Sequence, residues 1–113
     1  MKLIGSLTEQ SYREGLSASW TGLREPGNQL FSIMVGRLGL IDSAFVLNWT
    51  PEQSEDLYTV LVNGVEVIRL EVSRPGGKVV DFQAAGVRDY ERSLRSRQGR
   101  IKLAVALDLA GKR

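Results

Sequence analysis

The chain reads as an α+β domain, an antiparallel meander of three to four strands with two N-terminal and two C-terminal helices packed mainly on one face. Three observations predict this. Apolar residues recur at helical spacing over residues 7–38 and again beyond 88, the period changes to two from Ser43, and Asn63-Gly64 separates two strand-like runs. All 113 residues form a single domain, long enough to bury a core without disulfides or a metal.

Each element follows from local chemistry. Ser6 and Glu9 have the spacing of a capping box, so a helix starts at Leu7. Leu7, Tyr12, Leu16, Trp20 and Leu23 supply its apolar stripe, and Glu25-Pro26-Gly27 stops it. A second helix covers about 28–37, with Leu30, Phe31, Met34 and Leu38 on one side. Phe45, Leu47 and Trp49 then alternate with Ala44, Val46 and Asn48 in a strand ended by Pro51. Asn-Gly supplies the two positive φ angles of a type I′ turn, which sets Val62 opposite Val65, Val60 opposite Val67 and Tyr58 opposite Arg69. In that register Leu57, Leu61, Ile68, Leu70 and Val72 form the core side. Arg74-Pro75-Gly76-Gly77 is a turn, "KVVDFQ" an edge strand, "RDYERSLRS" a short helix, and "RIKLAVALDLAG" a final helix apolar nearly all round.

Composition excludes more than it identifies. The chain has no cysteine and no histidine, which removes thiolate sites, imidazole bases and most transition-metal ligand sets. "MKLIGS" lacks the roughly 7–15-residue apolar run of a signal peptide. The longest apolar stretch, "IKLAVALDLA", contains Lys102 and Asp108 and is shorter than the ~20 residues of a membrane span. A soluble cytoplasmic protein with no membrane role is expected. Fifteen basic against 13 acidic residues give a net charge of only +2, a weak pointer to nucleic acid.

The charges are nevertheless unevenly placed. Glu52, Glu55 and Asp56 cluster near Trp49 and Tyr58 in "NWTPEQSEDLYTVLVNG". Neighbouring carboxylates could serve as an acid pair or hold magnesium, but both need convergence in a pocket from separate elements. A polar connection shielding two strand ends explains the acids, and so does docking on a basic cleft, with the aromatics as anchors. Partner binding is therefore assigned to Trp49, Glu52, Glu55, Asp56 and Tyr58. A secondary basic patch is read at Arg88, Arg92 and Arg95, which would share one helix face and could contact phosphates. Only Tyr90 accompanies it, so stacking on single-stranded bases has little support; a solvated helix face is the favoured explanation, ahead of contact with an acidic protein surface or a nucleic acid. "RPGGK" leads into a strand and offers no helix N-terminus to a phosphate. No catalytic, cofactor-binding or metal residue is assigned, and no cofactor is expected.

The layout of two leading helices, a meander with an acidic connection, a basic short helix and an apolar terminal helix resembles the small cytoplasmic immunity proteins of bacterial polymorphic-toxin and contact-dependent growth inhibition systems. The stretches carrying the likeness are "NWTPEQSEDLYTVLVNG" and "GRIKLAVALDLA". The resemblance implies a stoichiometric inhibitor that plugs a toxin's active site or an adjacent surface, with a cognate toxin domain, a nuclease among the candidates, as partner. Two further classes stand beside it: a small nucleic-acid-binding or regulatory protein using the arginine-rich segment 88–102, and an enzyme working with carboxylates alone.

Overall fold

The computed structural model describes residues 1–112. Its elements are α1 (Leu7–Leu23), α2 (Gln29–Leu38), β1 (Ala44–Pro51), β2 (Glu55–Val62), β3 (Glu66–Ser73), β4 (Val79–Gly86), α3 (Val87–Ser93) and α4 (Arg97–Leu109). The strands form one antiparallel sheet in the order β1-β2-β3-β4, a meander as the sequence predicts. No described helix is long and apolar enough to cross a membrane.

Helix α1 begins as its capping box requires. The Glu9 N–H donates to Ser6 Oγ at 3.2 Å, and the Glu9 carboxylate accepts the Ile4 and Gly5 N–H groups at 3.1 and 2.9 Å. Glu9 is buried, and its bond from the Ile4 amide outweighs that burial to hold its pKa below the ordinary value. Leu7 departs from the expected stripe and is exposed, whereas Leu16 and Leu23 are buried. The first turn buries Glu9 instead and leaves Leu7 on its solvent side.

Helices α3 and α4 lie on one face of the sheet, and α1 runs along its β1 edge, sending Leu16 to that face and Leu23 to the other. On the first face α1, α3 and α4 cover Phe45, Leu47, Leu61 and Val67 with Leu16, Leu103, Val105 and Ala106. Helix α4 buries four successive residues, Leu103 to Ala106, which is why its sequence is apolar on nearly every side. Tyr12 Oη donates to Gln98 Oε1 at 2.9 Å, and Arg13 pairs with Asp108 at 2.8 Å along the α1–α4 seam. Helix α2 takes the other face, setting Met34 with Leu30, Phe31, Ile33 and Leu38 against Val60, Val62, Ile68, Leu70 and Val72.

Two one-residue irregularities decide which side chains share a face. Asn63 and Gly64 have the expected positive φ values of 54° and 67°, and the Val65 N–H reaches the Val62 carbonyl at 3.2 Å. The expected register is nonetheless wrong by one residue, because Val65 belongs to the turn. Val62 pairs with Glu66, Val60 with Ile68 and Tyr58 with Leu70. A slip of one transfers a whole strand to the opposite face. Ile68, Leu70 and Val72 therefore join Val60 and Val62 under α2, while Leu61 and Val67 meet under α4. The second irregularity is a bulge between Val46 and Asn48. It buries both Phe45 and Leu47 under α4 and turns Trp49 to the α2 side, opposite Tyr58.

Asn63 has a further task absent from the sequence reading. Its Oδ1 accepts the Asp42 and Ser43 N–H groups at 2.6 and 3.3 Å, and its Nδ2 donates to the Leu40 carbonyl at 3.1 Å. The turn thus fastens the α2–β1 connection.

Candidate functional site

On the α4 side the helices cover the end of the sheet near the Asn63-Gly64 turn and leave the opposite end open, whereas on the α2 side the start of α2 reaches toward that end and Val72 is still buried. Along β2, Val60, Leu61 and Val62 are buried, whereas the strand from Glu55 to Thr59 is only half-buried. The five residues assigned to partner binding all lie at this open end.

Three of them form one assembly on the α2 side. The Trp49 indole N–H donates to Asp56 Oδ1 at 3.1 Å, and the Trp49 and Tyr58 rings stack with centroids 6.5 Å apart and planes 11° from parallel. Arg74, at the end of the β3 side, completes it. Its Nε lies 3.5 Å from Asp56 Oδ2 and its Nη2 donates to the Glu55 carbonyl at 3.3 Å. The cross-strand pairs Trp49–Tyr58 and Asp56–Val72 bring these residues together from three successive strands. Trp49 remains 56% exposed, whereas the Asp56 side chain is 15% exposed. Burial raises the Tyr58 hydroxyl above its usual pKa, the Asp56 charge adds to the rise, and Arg74 opposes it. Beside the assembly, Asn28, Leu30, Val72 and the Arg74–Gly77 turn line a groove of about 380 Å³.

Glu52 and Glu55 do not join this assembly. Adjacent strand residues point to opposite faces, so Glu55 leaves on the α4 side of the sheet while Asp56 takes the α2 side. There Glu55 neighbours Glu71, whose carboxyl is raised above the ordinary range chiefly because its protonated form can donate to Glu55, then by burial and by the charges of Glu55, Asp81 and Glu52. The expected single negative patch beside aromatics is therefore two sites. On the α2 side an aromatic pair is held by an acid already matched to an arginine; on the α4 side carboxylates crowd over an open sheet. Among the described residues, no three or more His, Cys, Asp or Glu side chains are grouped to hold a metal ion.

The basic patch also changes. Helix α3 stops at Ser93, and Leu94 is extended at φ −74° and ψ 128°. Arg95 lies past the helix, so Arg88, Arg92 and Arg95 do not form the expected stripe. Arg92 pairs with Asp89 at 3.4 Å, and both side chains are about three-quarters exposed. The sequence assigns Arg69 to no site and marks Tyr90 only as the aromatic beside the basic patch; the Arg69 guanidinium sits over the Tyr90 ring at 5.7 Å, beside a cleft of about 190 Å³ between α3 and the sheet. Arg69, Glu71, Arg74 and Asp81 carried no local signal, because only the true strand register places them next to Tyr90, Glu55 or Asp56.

No protein-family model, no curated protein and no solved structure matches this chain.

Proposed function

We propose that the chain is a non-catalytic protein-binding inhibitor, a cytoplasmic immunity protein that neutralises a cognate toxin domain by stoichiometric binding. The observation that carries the binding role is the exposed Trp49, fixed by Tyr58 on its face and Asp56 at its indole nitrogen. Tryptophan, tyrosine and arginine dominate interface energies, and here Trp49, Tyr58 and Arg74 are ordered before any partner arrives, which lowers the entropy lost on docking. The toxin as partner rests on the sequence resemblance. The alternative of an arginine-rich nucleic-acid site gains no support, since Arg88, Arg92 and Arg95 diverge and Arg92 is already paired.

The test is titration of a toxin domain, sought first among the genes neighbouring this chain's own, with its activity as readout. Loss of activity at equimolar chain is expected, and Trp49→Ala should weaken the complex by about 2–4 kcal/mol. Its melting temperature should stay near the parent's, because Trp49 is largely outside the core. Full inhibition by Trp49→Ala would remove this patch from the interface. Turnover by the chain alone, abolished by Glu55→Ala, would replace the inhibitor with an enzyme.

A further inference from the structure

The two edges of the sheet are treated differently. On β1 the bulge between Val46 and Asn48 interrupts the ladder, α1 runs alongside, and Ser19 Oγ accepts the Val46 N–H at 3.0 Å. These are devices that blunt an edge. On β4 the irregularity lies at its start, opposite Glu71 and Val72, and leaves Val80 outside the ladder. From Asp81 to Gly86 β4 pairs regularly with β3 on one side and with nothing described on the other. All of these residues except Phe82 are exposed.

We propose that β4 is a dimerisation edge, on which two copies of this chain pair antiparallel about Gln83 to extend the sheet through both. The side chains are self-complementary in that register. Phe82 falls opposite the other copy's Ala84 and Asp81 opposite its Ala85, so each large residue meets a small one. Centring on Phe82 would instead oppose two phenylalanines, and centring on Ala84 would leave Asp81 beside α3. A twofold contact requires this matching of a surface with itself.

Charge favours the same arrangement. The open end of the α4 side holds Glu55, Glu71 and Asp81, and the crowding there raises Glu71. Helix α3, which follows β4 directly, carries Arg88 and Arg92 with Asp89 and Glu91, and Arg95 lies just past its end. Antiparallel pairing lays the Asp81 end of β4 in one copy near Arg88, at the start of α3, in the other. A contact of one short strand is small, so dimerisation should be concentration-dependent and weaken with salt. The Trp49 assembly is centred on β1 and β2, away from this edge, and remains free.

Sedimentation equilibrium of the full chain, from about 10 μM to 1 mM, tests this, the upper limit being set by the weak affinity of small interfaces. A monomer–dimer equilibrium is expected, and a monomer across the whole range overturns the proposal. The register has its own test. Ala85→Asp places like charges opposite Asp81 twice per dimer and should weaken association roughly tenfold, whereas Ala85→Lys should strengthen it. Equal effects of both variants would overturn the register. Because the chain has no cysteine, Gln83→Cys offers one thiol per copy, and a short bismaleimide should join two copies across the axis. Gln53→Cys, in the β1–β2 turn, should not cross-link; equal yields from the two would also overturn the proposal.

Discussion

The two ends of the sheet are made of the same strands but obey different constraints. At the Asn63-Gly64 end both faces are covered, and Val60, Leu61, Val62, Val67 and Ile68 are essentially inaccessible. Side-chain identity there is set by packing on α2 or α4. At the other end the same strands carry Trp49, Asp56 and Tyr58 on one face and Glu55, Glu71 and Asp81 on the opposite face. No helix covers these residues fully, so charge and aromatic stacking decide their arrangement. Stability therefore concentrates where the helices sit, and recognition chemistry is available where they do not.

The sharpest way to break this contrast is truncation at each end. Ile68→Ala removes a fully buried side chain and should destabilise by about 2–5 kcal/mol in denaturant titration. Leu57→Ala, in the half-buried segment, should cost less than about 1.5 kcal/mol. Similar losses at both sites would mean that the open end is as well packed as the covered one.

The turn at the covered end comes next in magnitude. Gly64 has φ +67°, and an added Cβ would lie 3.1 Å from Ala110 Cβ and overlap the Lys112 side chain. Gly64→Val should cost about 1–3 kcal/mol through backbone strain, with the clash against the end of α4 adding to it. An unchanged melting temperature would show that the turn is not held against that segment.

The smallest effect separates the carboxylates by sign. Glu71 has a raised folded-state pKa, so the folded chain holds its proton more tightly than the unfolded one does. Its ionisation opposes folding above that pKa, and the penalty disappears as pH falls below the ordinary carboxylate range. Glu9 has a lowered pKa, so its contribution is present above the ordinary value and is lost as pH falls through the folded one. Glu71→Gln should thus raise stability slightly at neutral pH, and Glu9→Gln should lower it and flatten the acid limb. Chemical denaturation across pH 3 to 8 (about the carboxylate range and above,) would reveal the difference; parallel profiles for the two variants would refute the opposed environments.

Sequence alone determined the element order, the antiparallel meander, the start of α1 and the conformation at Asn63-Gly64, because caps, breakers and periodicity act within a few residues of one another. It also located Trp49, Glu52, Glu55, Asp56 and Tyr58 in one stretch that proved to be the open end of the sheet. It could not divide them between faces. That division depends on the bulge before Asn48, and the matching of β3 to β2 depends on the extra turn residue Val65. Each shifts a strand by one position, and both follow from the need to fill two cores, under α2 and under α4, at once. Arg74 at Asp56, Glu71 beside Glu55 and Arg69 over Tyr90 became neighbours only through that register. Local chemistry fixes which residues make a strand, but packing on both faces fixes which residues they meet.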